Sequence, residues 1–327
     1  MIIVTGGAGF IGSAIVAALN ARGIEDIIIV DRLGSDQRWK NLVNLSFADY
    51  VDKDDFLQLA VEKRIAMPVK AVFHLGACAD TTETDADYLI KNNYEYTKLL
   101  AQWAADSKIR FIYASSAATY GDGSQGFLDD EERIEKLEPL NMYGYSKQLF
   151  DLWAKMTGLL GKIAGLKYFN VFGPNEYHKG NMRSFVLKAH DSAFGGPTAG
   201  SVKLFKSGNP KYADGEYVRD FIYVKDAVDM TLFFLDNPRV CGLYNIGTGK
   251  ARSWNDLAKA VFAAMGKEPK IEYVDMPENL QKQYQYFTEA DITKLKKAGW
   301  KKPITSLEDA VKDYIQNYLA GGKYLET

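Results

Sequence analysis

The 327-residue sequence predicts an α/β fold: a doubly wound parallel sheet joined to a smaller mixed α/β portion. Three observations lead there. The apolar run Ile2-Ile3-Val4 passes through Thr5 and a glycine triplet, Gly6, Gly9 and Gly12, into an amphipathic segment. A second apolar run, Ile27 to Val30, follows and closes on Asp31. Further apolar runs recur at 69–78, 109–114, 163–174 and 243–249. Unbroken rather than alternating runs mark strands covered on both faces, as those of parallel sheets are.

Composition narrows the possibilities. With 47% hydrophobic and 25% charged residues the chain has the balance of a soluble globular protein, with room for about two domains. A net charge of −2 provides no broad positive field for nucleic acid. Lys294, Lys296, Lys297, Lys301 and Lys302 form one basic cluster, expected to be a solvated helix end. Cys78 and Cys241 lack metal-type spacing and are expected to be reduced, small core residues in an intracellular compartment. Met1 leads straight into the first strand, and no apolar run approaches about eighteen residues, so the expectation is a cytoplasmic protein, neither secreted nor membrane-bound.

The glycine triplet is the first element with chemistry. Its three-residue spacing allows a tight turn, close approach of the backbone to a pyrophosphate, and free N–H groups facing phosphates at the following helix start. This is a Rossmann-type turn, and Asp31 about twenty positions on suits a ribose hydroxyl. Arg32 and Arg38 add cations suited to a 2′-phosphate, so NADP is favoured over NAD. Ala48-Asp49-Tyr50 reads as the end of a third strand before an acidic helix start at 52–55. The 69–78 run ends in small residues that let a ribose sit against backbone, and His74 within it reads as a core histidine. Residues 85–105 have helical periodicity and carry Asn92 and Asn93, at least one of which is expected to hold a neighbouring strand end.

Ile109 to Ala114 delivers Ser115 and Ser116 to the carboxyl edge of the sheet, where open α/β sheets bind ligands. Asn141 opens a helix on which Tyr143 and Lys147, four apart, share a face. A tyrosine with an ordinary pKa of about 10 needs about 4 kcal/mol of phenolate stabilisation to work as a base near neutrality. A lysine and an oxidised nicotinamide supply that positive charge. Ser116 can then hold a substrate hydroxyl while Tyr143 takes its proton. Gly144-Tyr145-Ser146-Lys147-Gln148 begins like a hydrolase nucleophile elbow, but Gln148 replaces the second glycine and no strand leads in.

Residues 175–217 are polar, glycine-rich and broken by Gly195-Gly196-Pro197, as an inserted substrate-binding portion would be. Val218 to Val224 returns to the main body, Ser253 and Asp256 form a capping-box pattern, Ile271 to Val274 is strand-like and a last helix follows Ser306. The expected division is 1–170 plus about 218–248 for the dinucleotide, and about 171–217 plus 249–327 for the substrate.

Thr5-Gly6-Gly7-Ala8-Gly9-Phe10-Ile11-Gly12, Tyr143-x-x-x-Lys147 and Arg219-Asp220-Phe221-Ile222-Tyr223-Val224 resemble the extended short-chain dehydrogenase/reductase superfamily acting on nucleotide sugars. Within it, Ala114 to Gly121, Asn141 to Lys147, Tyr168 to Pro174 and especially His178-Lys179-Gly180 resemble the ADP-glyceromanno-heptose 6-epimerases. The resemblance implies NADP-dependent inversion at C6 of an ADP-heptose for the lipopolysaccharide core, by a homo-oligomer, typically a pentamer. It implies cofactor contacts at Gly6, Gly9, Phe10, Ile11, Gly12, Asp31, Arg32, Arg38, Lys53, Leu75, Gly76, Ala77, Cys78, Ala79, Asn92, Tyr143, Lys147, Val171 and Lys179. It implies substrate contacts at Ser116, Asn170, Asn181, Lys188, Phe205, Lys206, Ser207, Gly208, Arg219 and Tyr284, with Lys179 a second acid/base. The chain departs from the family's usual residues at Arg32, Arg38, Asn181 and Lys188.

Three other readings compete. A UDP-hexose 4-epimerase would use the same Tyr–Lys pair, and Lys179 is the feature that favours the heptose enzyme. A 4,6-dehydratase would need an Asp-Glu pair where Ala117 and Ala118 stand. A non-catalytic NADP sensor has no use for a base beside the nicotinamide.

Overall fold

The computed structural model describes residues 1–195, 200–277 and 284–326, so Gly196 and Pro197 of the predicted break lie outside the described residues. The strands are β1 (Ile2–Thr5), β2 (Ile27–Asp31), β3 (Asp49–Asp52), β4 (Ala71–His74), β5 (Arg110–Ser116), β6 (Ala164–Tyr168), β7 (Asn170–Phe172), β8 (Val202–Phe205), β9 (Val218–Arg219), β10 (Phe221–Tyr223), β11 (Gly242–Ile246), β12 (Arg252–Ser253) and β13 (Ile271–Val274). The principal helices are α1 (Phe10–Asn20), α2 (Lys53–Val61), α3 (Ala86–Leu89), α4 (Tyr96–Asp106), α5 (Met142–Met156), α6 (Phe185–Gly195), α7 (Val224–Asp236) and α8 (Trp254–Ala264).

Seven strands form one sheet in the order β3-β2-β1-β4-β5-β6-β11, every adjacent pair parallel. The winding direction reverses between β1 and β4, which opens a crevice at their carboxyl ends. Successive residues of a strand enter opposite layers. Ile2, Val4, Ile27 and Ile29 pack under α1 and α7, whereas Ile3, Ile28 and Val30 pack with residues of α2, α4 and α5. Each such isoleucine, fully withdrawn from water, contributes about 1.5–3 kcal/mol. That two-sided burial is why the sequence shows unbroken apolar runs.

The 163–174 run is not one strand. Phe169 still donates its N–H to the Ile246 carbonyl, but Asn170 donates to Asp220, so the chain leaves the main sheet and β7 pairs with β10. Asp220 fixes this departure by accepting from Thr248 N (2.7 Å), Thr248 Oγ1 (2.8 Å), Gly249 N (2.9 Å) and Ala290 N (3.0 Å). Small sheets β9–β12 and β8–β13 complete this side, and the predicted capping box of α8 is formed by Ser253 and Asp256. The strand expected over 69–78 is confined to Ala71–His74, because residues beyond it turn along the crevice.

Two side-chain expectations are corrected. Lys294 is not a solvated lysine: its ammonium is half-buried on Glu131, the Asp129 carbonyl and the Leu243 carbonyl. Cys78 and Cys241 are free thiols but only half-buried, and Cys78 faces the crevice rather than the core. Among the described residues no helix is long and apolar enough to cross a membrane.

Candidate active site

One cleft of about 1260 Å³ runs from the glycine turn across the sheet's carboxyl edge to α8 and Tyr284. At its first end, Gly6 has φ +68°, and a Cβ there would lie 2.6 Å from the Gly76 nitrogen. A Cβ on Gly12 would lie 2.0 Å from the Gly6 carbonyl oxygen. Glycine is therefore required at both positions to bring β1, β4 and α1 together, and α1 begins with no side-chain cap and no acidic residue in its first turn. Such a helix start presents donors and positive potential to a phosphate.

Asp31, at the tip of β2, accepts from Ala8 N (2.9 Å) and Arg32 N (2.7 Å) and is buried, which raises its pKa. Arg38 is already engaged: its guanidinium grips Asp36 at 2.7–3.1 Å and approaches Asp31 at 3.7 Å. Arg32 is exposed and forms no ion pair among the described residues. The two arginines thus differ, which their spacing in the sequence does not reveal.

Behind this end, the fully buried His74 joins Thr5 (2.6 Å) to Thr97 (2.8 Å), with burial pulling its pKa down to about 3. The expected strand-end clamp is Asn93, which exchanges hydrogen bonds with the Cys78 backbone at 2.9 Å in both directions and donates to Ser146. It sits in the wide turns Ile90–Glu95 between α3 and α4, which rotate it inward.

At the centre, α5 is capped by Asn141 and sets Tyr143 and Lys147 on the cleft. Ser116 lines the cleft beside Tyr143. Burial raises the Tyr143 pKa and the Ser116 hydroxyl lowers it in part, so the phenol of the free protein is not yet a base. Lys147 donates to the Ala114 carbonyl at 2.9 Å, and burial draws its pKa down from 10.5 to about 8. It is still mostly an ammonium at neutral pH.

Across the cleft, the turn Tyr177–Met182 carries Lys179, whose ammonium lies 4.9 Å from the centre of the Phe10 ring. Burial lowers its pKa, and Glu176 partly opposes that shift. The far end is cationic: Arg183, Lys188, Lys203 and Arg219 line it, and among the described residues no Asp or Glu does. Arg219 is 6% exposed, donates to the Val218 carbonyl at 3.0 Å and lies 5.1 Å from the Tyr284 ring centre. Among the described residues no carboxylate pairs with it. A buried guanidinium without a counter-ion is suited to an anionic ligand.

All the cofactor candidates named from the sequence line this cleft, as do Ser116, Asn170, Lys188, Phe205, Arg219 and Tyr284. Four substrate candidates do not. Lys206 turns outward to Asp275 (3.0 Å), Ser207 is tied to Asp214 and Asn209, Gly208 stands near the Tyr286 hydroxyl, and Asn181 is exposed. Asn181 contributes indirectly, since its carbonyl accepts from the Lys188 ammonium at 2.6 Å. Sequence reasoning missed Arg183 and Trp254 in the lining. Arg183 was signalled only by its place between Lys179 and Lys188, and Trp254 by nothing local.

A family model described as "NAD dependent epimerase/dehydratase family" matches residues 2–247. A protein of Nitratidesulfovibrio vulgaris (strain DP4) named ADP-L-glycero-D-manno-heptose-6-epimerase is 56% identical over 320 residues, covering 98% of each chain. One of the same name from Fusobacterium nucleatum is 51% identical, again over 98% of each. The crystal structure of a Helicobacter pylori protein of that name is 27% identical, with TM-score 0.80 over 97% of this chain and 95% of the other.

Proposed function

The chain belongs to the NAD dependent epimerase/dehydratase family, and from that premise we propose that it inverts C6 of ADP-D-glycero-D-manno-heptose to give the L-glycero epimer. The relatives' names support this substrate. The observation that carries it is a cleft joining a phosphate-binding helix start, a Ser–Tyr–Lys set and a buried Arg219 that no carboxylate pairs with among the described residues. Gly6 to Gly12 and Asp31 would hold the dinucleotide, and Arg219 with Lys188 the sugar diphosphate. The nicotinamide supplies, when bound, a reversible hydride acceptor.

The protein's residues manage the protons. Tyr143, with its phenolate stabilised by Lys147, takes the C6 hydroxyl proton while Ser116 orients that hydroxyl. Returning hydride to the opposite face of the ketone requires the sugar to turn, which carries its oxygen away from Tyr143. A donor on the other wall is then needed, and Lys179, an ammonium made more acidic by burial, serves. We assign NADP as the cofactor, with Arg32 as the cation for its 2′-phosphate. Tighter binding of NAD than NADP in a direct titration overturns that assignment.

The test of the substrate is incubation with ADP-D-glycero-D-manno-heptose beside UDP-galactose, with NMR of the products. Epimerisation of the heptose alone is expected. Turnover of UDP-galactose alone replaces the reading with a UDP-hexose 4-epimerase, and turnover of neither removes the substrate assignment.

A further inference from the structure

Three residues on one face of α5 stand against four successive residues, Tyr113 to Ser116, at the end of β5. Tyr143, Lys147 and Asp151 stand at i, i+4 and i+8. The first shares the cleft wall with Ser116 and the second donates to the Ala114 carbonyl. Asp151 accepts from the Ser115 hydroxyl at 2.7 Å and from the Tyr113 phenol at 2.8 Å. This third rung lies behind the cleft, and no proton step uses it.

The counter-ion of Asp151 is Lys167 on β6, 2.8 Å away, and both side chains are 0% exposed. Lys167 also donates to Thr119 at 2.7 Å, in the turn that follows Ser116. An ion pair so buried is a poor source of stability, because desolvation cancels much of the attraction and apolar residues would fill the space as well. It does supply direction. With every polar atom satisfied, the network allows the end of β5 one position relative to α5.

We infer that Asp151 is a positioning residue, which through Ser115 and Lys167 sets where β5 presents Ser116 and the Ala114 carbonyl to Tyr143 and Lys147. This rests on the catalytic assignment above. The charge of Asp151 also acts on Lys147. That ammonium is faced by Tyr143 and Asp151 from its own helix, by His74 from β4, by the Cys78 thiol beyond β4 and, behind Asp151, by Lys167 from β6. Asp151 is the strongest influence holding the Lys147 proton against burial.

Two variants test the inference. Asp151→Asn keeps the shape and an acceptor oxygen but removes the charge. In [13C]lysine-labelled protein saturated with NADP and without sugar, the Lys147 signal is identified by its loss in Lys147→Met. Its titration midpoint is expected to fall by about half a pH unit or more in Asp151→Asn. An unchanged midpoint overturns the electrostatic part. Ser115→Ala leaves the Asp151–Lys167 pair and the Tyr113 bond in place and cuts the link to the residue beside Ser116, so it decides the matter should Asp151→Asn not fold. A kcat reduced about fivefold or more, with KM and cofactor affinity nearly unchanged, is the expected result. No loss, or a loss carried by KM, overturns positioning. Wild-type protein that leaves ADP-heptose unchanged defeats the proposed function instead, and the sugar-free lysine titration still decides the electrostatic part of the inference.

Discussion

Replacing Arg219 by methionine separates the cost of a buried cation from its use. The side chain is 6% exposed, its nearest partners are a backbone carbonyl and the face of Tyr284, and burial lowers its pKa. Among the described residues the guanidinium of the free protein has no counter-charge, a destabilising arrangement that a diphosphate relieves. A hydrogen bond between charged partners contributes about 1.5–3 kcal/mol. Arg219→Met, which fills similar length without charge, should therefore weaken nucleotide-sugar binding about 10- to 150-fold. The thermal midpoint of the free protein should hold or rise, because the desolvated charge has gone. Calorimetric titration with ADP-heptose measures the first effect and thermal unfolding the second. Binding changed less than about threefold, together with a fall in thermal midpoint, would show Arg219 to be a structural residue and refute the anion-site argument.

Tyr143→Phe should abolish single-turnover cofactor reduction while leaving cofactor affinity intact, since only the proton acceptor is lost; near-normal turnover removes Tyr143 from its role. Lys179→Met should spare oxidation of one C6 epimer and stop that of the other, read as absorbance of reduced cofactor, whereas equal impairment with weaker sugar binding makes Lys179 a clamp. His74, neutral in the fold with a pKa near 3 against an ordinary 6.5, takes up a proton only on unfolding between those values. Its contribution is therefore whole above pH 6.5 and is lost as pH falls towards 3, by on the order of 5 kcal/mol. His74→Gln should flatten the pH dependence of urea unfolding between pH 6 and 4, and an unchanged slope would show that other groups govern acid unfolding.

What the sequence determined by itself was whatever local pattern imposes. Unbroken apolar runs define the parallel strands because both sheet faces are buried, and the Gly6, Gly9 and Gly12 spacing defines the turn because a Cβ has no space at Gly6 or Gly12. Tyr143 and Lys147 share a face because a helix repeats about every four residues. The tertiary structure alone decided what depends on distant partners. Lys294 reads as solvated until Glu131, far along the chain, is brought to it. Phe169 falls inside one apolar run, yet the chain leaves the sheet there because Asp220, fifty residues on, takes over the next backbone hydrogen bond. Arg219 gains its meaning only from the absence of a carboxylate around it among the described residues. Charge, hydrogen bonding and burial are sums over neighbours in space, and a linear sequence states only the neighbours along the chain.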